Sequence, residues 1–259
     1  MLTQLRSLYA YREMIVCMVR RDLRGRYKGS ALGFLWTFVS PLMQLGVYTI
    51  VFTHILKNGI DRYYLFLFTA LVPWLFFSAS LTGGAACVLA QKELVKKIWF
   101  PRAVLPAAYV TGAFINMLLC FAIILPTAIL SGVQLRPGGL LLLPAVMAAE
   151  FFLALGMALL ASSVTVYFRD MEHILSIAAM LWMYLTPVVY DISMIPARYR
   201  ILLRLNPMTS VIGCYRDILY SGSLPDPAAL LCAATQGLTA LVIGWYVFEC
   251  LQKRFAEVL

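Results

Sequence analysis

One acidic side chain, Glu150, lies well inside an apolar stretch of the sequence. Holding a charged side chain at the centre of a membrane helix costs roughly 2.5 to 3.5 kcal/mol on insertion scales, so Glu150 must face a partner or water. It could carry protons in a secondary transporter, or act as an acid or base in a membrane enzyme. We favour a pore-facing or helix-contact role, because the only side-chain amides in the apolar stretches are Gln44, Asn116 and Gln236, and one isolated acid is thin evidence for proton transfer.

Motifs for nucleotides, metals and nucleophilic catalysis are missing from the sequence. No GxxxxGK[ST] occurs, so there is no P-loop to bind nucleotide phosphates. His54 and His173 lack the spacing of metal ligands, and no Ser, His and carboxylate motif is recognisable. We expect no catalytic residue, metal or cofactor in this chain, so energy from ATP would have to come from another chain.

The short segment QKELVKKIWFPR, residues 91–102, combines basic and apolar residues. Leu94 and Ile98 are one helical turn apart, and Pro101 ends the pattern. We expect Trp99 and Phe100 to be exposed, either anchored at the lipid interface or inserted into a groove on a cytoplasmic partner.

Aromatic residues make up 13% of the chain. We expect most of them to belong to the aromatic belts that membrane proteins carry at the bilayer surface. Aromatic walls also suit a sugar polymer, because flat apolar sugar faces stack on rings and can slide. The candidate residues for a substrate pathway are Tyr48, Tyr109, Glu150, Trp182, Tyr184, Tyr190 and Tyr215.

The elements that would position these residues are membrane helices. The chain has 259 residues, of which 62% are hydrophobic and 13% are charged. A bilayer core about 30 Å thick needs roughly 20 apolar helical residues. Six apolar runs predict one polytopic, all-α membrane domain, with helices at 31–56, 63–90, 103–131, 139–167, 174–190 and 228–251.

The distribution of Lys and Arg predicts the orientation. Residues 1–30, 91–102, 168–173 and the C-terminus contain fourteen of them, against seven in the other segments. Both termini should therefore be cytoplasmic. The basic residues behind the formal net charge of +9 cluster beside the apolar runs, a pattern that indicates membrane topology and contact with lipid headgroups. We therefore expect no nucleic-acid partner.

The sequence pattern predicts amphipathic helices in two further segments. Residues 1–30 predict a helix in the membrane interface, with Tyr9, Ile15, Val16 and Val19 on its apolar face, acting as an anchor or gripping a partner. Residues 191–227 are too apolar for an ordinary loop and predict two short helices, divided at Pro207, that enter the outer leaflet. This second segment is a candidate channel mouth.

Five ordered motifs carry a family resemblance over nearly the whole chain. They are RYKGSALGFLWTFVSPLMQLGVYTIVF (26–52), KKIWFPRAVLP (96–106), VYFRDMEHIL (166–175), WMYLTPVVY (182–190) and RLNPMTSVIGCYRDILY (204–220). This pattern resembles the ABC-2 type permeases that export O-antigen, capsular polysaccharide and teichoic acid.

The resemblance implies a homodimer of six-span subunits in the bacterial inner membrane, with two copies of a cytosolic ATPase that holds ATP and Mg. It implies a coupling helix that sits in a groove of the ATPase, and a cytoplasmic gate at Arg169 and Asp170. The residues of the coupling segment are Lys92, Glu93, Leu94, Lys96, Lys97, Ile98, Trp99, Phe100 and Arg102.

The resemblance says less about the cargo. We expect a lipid-linked polysaccharide, and any separate carbohydrate-recognition domain should be on the ATPase. An ABC-2 exporter of drugs or small lipids is one alternative, and an integral-membrane glycolipid transferase is another.

Overall fold

The computed structural model describes residues 9–25, 30–55 and 59–258, and this part of the chain is helical without strands. In chain order, its helices are α1 (Arg12–Gly25), α2 (Trp36–Thr49), α3 (Tyr63–Ala90), α4 (Lys92–Lys97), α5 (Val104–Leu130), α6 (Pro137–Tyr167), α7 (Met171–Tyr184), α8 (Ala197–Leu205), α9 (Pro207–Leu219), α10 (Pro227–Leu251) and α11 (Phe255–Val258). A short 3₁₀ turn precedes α2, and a π-helical stretch extends it to Ile55.

Five of these elements are long and apolar enough to cross a membrane: Gly33–Ile55, Tyr63–Ala90, Val104–Leu130, Pro137–Tyr167 and Pro227–Arg254. They match five of the six predicted spans to within a few residues. The integral-membrane, all-helical class is thereby confirmed.

The predicted fifth span, 174–190, has a different form. Helix α7 has 14 residues, about 21 Å of helix, and the chain continues through turns to Tyr190. This is shorter than the roughly 30 Å of a bilayer core, so the count of six full-length spans is not confirmed.

Helix α3 is the centre of the bundle. It packs against α5, α6 and α7, while α6 packs along α10. The first apolar element, Gly33–Ile55, is largely exposed, and α3 is largely buried. Two kinds of apolar surface result: an internal core around α3, and outer faces that need lipid or protein to cover them.

The bundle has two distinct ends. At one end, which we call the basic end, Tyr167 donates to the carbonyl oxygen of Leu251 (2.8 Å) and Arg102 donates to that of Gln252. At the other, which we call the loop end, Arg62 donates to the carbonyl oxygen of Ser131 (2.7 Å). The described parts of the segments predicted to be cytoplasmic share the basic end.

Helix α1 lies against α5 at the basic end. Its packed face contains Ile15 and Val19, as predicted, but Val16 is exposed. Met14 and Met18 also pack against the bundle, while Tyr9 and Val16 are exposed. An interfacial helix needs exposed apolar side chains to enter the lipid, so the placement of this helix in the membrane interface stays a prediction. Residues 1–8 and 26–29 of the predicted interfacial helix lie outside the described residues.

Candidate functional site

The segment between α7 and α10 forms two helices divided at Pro207, as predicted. Helix α9 is buried among α3, α6 and α10, and most of its residues from Met208 to Leu219 are inaccessible. Its Tyr215 reaches Glu150, which lies 13 residues after the start of α6, about 20 Å along that helix. Helix α9 therefore descends to about the middle of the longest helix.

Glu150 and Tyr215 form a buried polar pair inside the subunit. The Tyr215 hydroxyl donates to Glu150 Oε2 at 2.7 Å, and Glu150 is fully inaccessible. The ring of Tyr215 also packs against Phe121, with centroids 5.4 Å apart. The hydrogen bond joins α9 to α6, and the ring contact joins α9 to α5. Together these contacts fix the depth of α9 in the bundle.

Arg216, the next residue of α9, holds the chain after α7. Its Nη2 donates to the carbonyl oxygen of Val188 at 2.7 Å, and its Cζ lies 3.5 Å from the ring centre of Phe66 on α3. The hydroxyl of Tyr63 donates to the carbonyl oxygen of Val189 at 2.8 Å. Two carbonyls that no helix satisfies are thus satisfied by side chains.

Asn206 makes the same kind of connection at the start of α9. Its amide nitrogen donates to the carbonyl oxygen of Leu185 (3.2 Å) and to Thr186 Oγ1 (2.8 Å). Its side-chain oxygen accepts from Trp182 Nε1 (3.0 Å) and from the backbone of Met208, where it caps α9. A single amide therefore joins the end of α7 to the start of α9.

These bonds together explain how irregular backbone can lie deep in the bundle. Unsatisfied carbonyls are tolerated at membrane depth only when protein or a wet cavity surrounds them. Residues 185–190 are the turns that follow α7, and we call them the broken segment. Side chains from α3 and α9, and from Asn206 before α9, hold it in place.

Asp191 follows the broken segment at the loop end. Burial disfavours its charged form, but hydrogen bonds from Ser193 and the positive charges of Arg216 and Arg200 outweigh that effect. The pKa of the Asp191 carboxyl is therefore lowered from its usual value. Its negative charge complements the buried guanidinium of Arg216.

The structure distributes the predicted pathway residues over several places. Glu150 and Tyr215 are enclosed, Trp182 bonds to Asn206, and Tyr190 donates to the carbonyl oxygen of Tyr184 at 3.1 Å. Tyr184 is exposed beside the broken segment.

Two other predicted pathway residues lie away from the broken segment. Tyr48 packs near Phe52, and Tyr109 lies against Gly83 near α1. A pathway role for these seven stays a prediction.

Sequence reasoning did not single out Arg216 or Tyr63 as site residues. Arg216 is one of the seven Lys and Arg residues outside the segments predicted to be cytoplasmic, and it sits in the apolar run of α9. An arginine surrounded by buried apolar residues is itself a signal of a buried partner. That partner, the carbonyl of Val188, is invisible in a linear pattern.

The coupling segment lies at the basic end as α4 and the turn that follows it. Trp99 is 84% exposed and Ile98 is 56% exposed, while Val95 and Phe100 are buried. The expected exposure of Trp99 is confirmed, and that of Phe100 is wrong because its ring joins the core. Lys97 pairs with Glu93 at 3.2 Å on the exposed side.

The remaining members of the coupling segment and the gate pair lie at the same end. Lys92 and Lys96 are exposed, Leu94 packs against the core, and Arg102 is half-buried. Arg169 and Asp170 occupy an exposed turn between α6 and α7. Their roles in coupling and gating stay predictions.

Comparison with known proteins gives consistent matches along the chain. The family model described as ABC-2 type transporter matches residues 13–220. The O-antigen export system permease protein RfbA of Myxococcus xanthus is 34% identical over 259 residues, covering 99% of each chain. RfbA of Klebsiella pneumoniae is 30% identical over 95% of each chain, and the polysialic acid transport protein KpsM of Escherichia coli is 22% identical over 88% of this chain and 90% of its own. The chain therefore belongs to the ABC-2 type transporter family of membrane proteins.

Proposed function

We propose that this chain is the permease subunit of an ABC transporter that exports a lipid-linked polysaccharide across the bacterial inner membrane. The observation that carries the proposal is the similarity to an O-antigen export permease over 99% of both chains. The similarity to a polysialic acid transport protein points to the same class of cargo. Glycan export is therefore favoured over export of drugs or small lipids.

A separate ATPase subunit supplies the energy in this proposal, holding the ATP and Mg. The sequence has no P-loop, so nucleotide phosphates have no binding loop in this chain. Exposed Ile98 and Trp99 directly follow two lysines and form an apolar projection in a basic segment at one end of the bundle. Such aromatic residues are typical anchors of protein interfaces.

The basic end faces the cytoplasm in this proposal, with both termini on that side. The supporting observation is charge, because the Lys- and Arg-rich segments meet at one end. Glycolipid would enter past Arg169 and Asp170 and leave near the broken segment at the loop end.

Two permease copies would form the pathway between them. The exposed face of α7 carries an apolar stripe with helical spacing, which includes Ile174, Ile177, Leu181 and Tyr184. This stripe leads directly into the broken segment. Because irregular backbone is not tolerated against lipid, we place this face toward the second copy and the pathway.

Deletion of the gene tests the proposal in the native cell. We expect surface polysaccharide to disappear and its lipid-linked precursor to accumulate on the cytoplasmic side, with both effects reversed by the intact gene. Normal surface polysaccharide combined with altered drug tolerance would contradict glycan export and favour the export of small molecules.

A further inference from the structure

A groove of about 800 Å³ opens at the basic end between two parts of the chain that are distant in sequence. One wall is residues 95–103, which include the exposed projection of Ile98 and Trp99. The other wall is the end of α10 and the turn after it, with Trp245, Glu249 and Lys253. We name this space the basal groove.

The second wall is fixed firmly to the first. Arg102 donates to the carbonyl oxygen of Gln252, and its Cζ lies 5.9 Å from the ring centre of Phe255. Phe255 is fully buried and contacts Tyr167, with centroids 6.2 Å apart. The coupling segment, the end of α6 and the end of α10 therefore meet at one buried ring.

The basal groove carries cations on both walls and has a net positive charge. Lys96, Lys97 and Arg102 line the first wall, Lys253 lines the second, and Glu249 is the acidic residue among the lining side chains. A concave surface with cations on both sides and apolar residues between them suits a protein segment with acidic and apolar side chains.

We propose that residues 95–103 and the end of α10 form one composite docking surface for the ATPase, with acidic side chains of the ATPase bound between Lys97 and Lys253. This inference rests on the proposed function, because the partner is the ATPase assigned there. Lys253 and its neighbours contact the partner directly, and Phe255 positions the coupling segment through Arg102.

A membrane surface would use these cations differently. Anionic headgroups attract every exposed cation near the bilayer by a similar amount. Lys253 and Arg254 are neighbours and both are exposed, but only Lys253 lines the basal groove. The two residues therefore form a matched pair that separates docking in the groove from attraction to lipid.

Charge reversal of each residue in the full complex, Lys253→Glu and Arg254→Glu, tests the inference. We expect Lys253→Glu to weaken binding of the purified ATPase to permease in nanodiscs about tenfold at low salt, and Arg254→Glu to leave it nearly unchanged. The difference should shrink at high salt, since screening weakens exposed charge pairs. Equal effects of the two variants, or no effect of either, would overturn the composite surface.

Photo-crosslinking from positions 99 and 253 separates this inference from the proposed function. A photoreactive amino acid at each position, in membranes that contain both subunits, should capture the ATPase from both sites. Capture from Trp99 alone would overturn the role of the α10 end and leave the proposed function standing. Capture from neither position would overturn both.

Discussion

Glu150 and Tyr215 show how a carboxyl group is accommodated inside this apolar bundle. One carboxyl oxygen, Oε2, accepts from the hydroxyl of a residue 65 positions later in the chain, whereas Oε1 has no hydrogen-bond partner among the described residues. Both side chains are fully enclosed. A carboxyl group in such a place costs stability unless it is bonded, so the pair is a condition for α9 to descend so far. The sequence predicted that Glu150 would face a partner or water, but not which residue that partner would be.

Removal of the Tyr215 hydroxyl should destabilise the protein. Tyr215→Phe leaves Glu150 Oε2 buried without its donor, which costs about 1 to 3 kcal/mol. We expect a lower midpoint of thermal unfolding in detergent, measured by loss of the monodisperse peak after heating. Tyr246→Phe, at a residue that is 70% exposed on α10, is the matched control.

A double variant checks the physical reason. Glu150→Leu together with Tyr215→Phe removes both polar partners, so it should be more stable than Tyr215→Phe alone. If Tyr215→Phe unfolds at the wild-type temperature, the pair does not hold α9.

Among the elements, α7 is the one whose end could not be predicted from the sequence. The apolar run 174–190 predicts a span, because hydropathy counts apolar residues and does not register where the helix ends. The helix stops at Tyr184, and the chain after it is held by Asn206, Arg216 and Tyr63. Those bonds come from distant elements, so no local pattern contains them. The other five spans carry strong, continuous apolar runs and were predicted to within a few residues.

The contact between α6 and α10 depends on glycine. A Cβ atom at Gly244 would collide with the backbone oxygen of Gly156, and one at Gly237 would collide with the backbone oxygen of Ala149. Small residues let membrane helices approach until their backbones touch, and dispersion and weak hydrogen bonds then stabilise the contact. This close approach holds α10 against the middle part of α6.

Gly244→Ala should therefore separate α6 from α10. Overpacking of this kind costs about 1 to 3 kcal/mol, which thermal unfolding in detergent will detect. Gly213→Ala is the matched control, because nothing lies within 4 Å of a Cβ at that helical position. We expect it to be neutral or slightly stabilising, since alanine favours helix over glycine. Similar losses in both variants would contradict the close approach.

For the whole molecule, the exposed stripe on α7 predicts where two copies would meet in the proposed dimer. Ile177 is 62% exposed at the centre of that stripe, and Leu238 is 50% exposed on α10. With the exposed natural cysteines Cys17 and Cys250 replaced by serine, Ile177→Cys should give a crosslinked dimer with a short bifunctional thiol reagent in membranes. Leu238→Cys should give little. The reverse pattern would place the second copy on α10 and contradict the proposed pathway.

The positions of Lys and Arg in the sequence largely predicted which segments lie together at one end of the molecule. Counting Lys and Arg grouped the N-terminal segment, residues 91–102 and the C-terminus, and the structure brings the described parts of these segments together at the basic end. The basal groove was not predictable, because it needs the bond between Arg102 and Gln252 across 150 residues.

Reconstitution in liposomes tests the central claim most directly, which is that this chain provides the passage and a partner ATPase provides the energy. Permease alone, permease with its ATPase, and permease with an ATPase that cannot hydrolyse ATP would be supplied with lipid-linked glycan and ATP. The account predicts ATP hydrolysis and glycan translocation only with the active ATPase. Glycan translocation or ATP hydrolysis by the permease alone would contradict it.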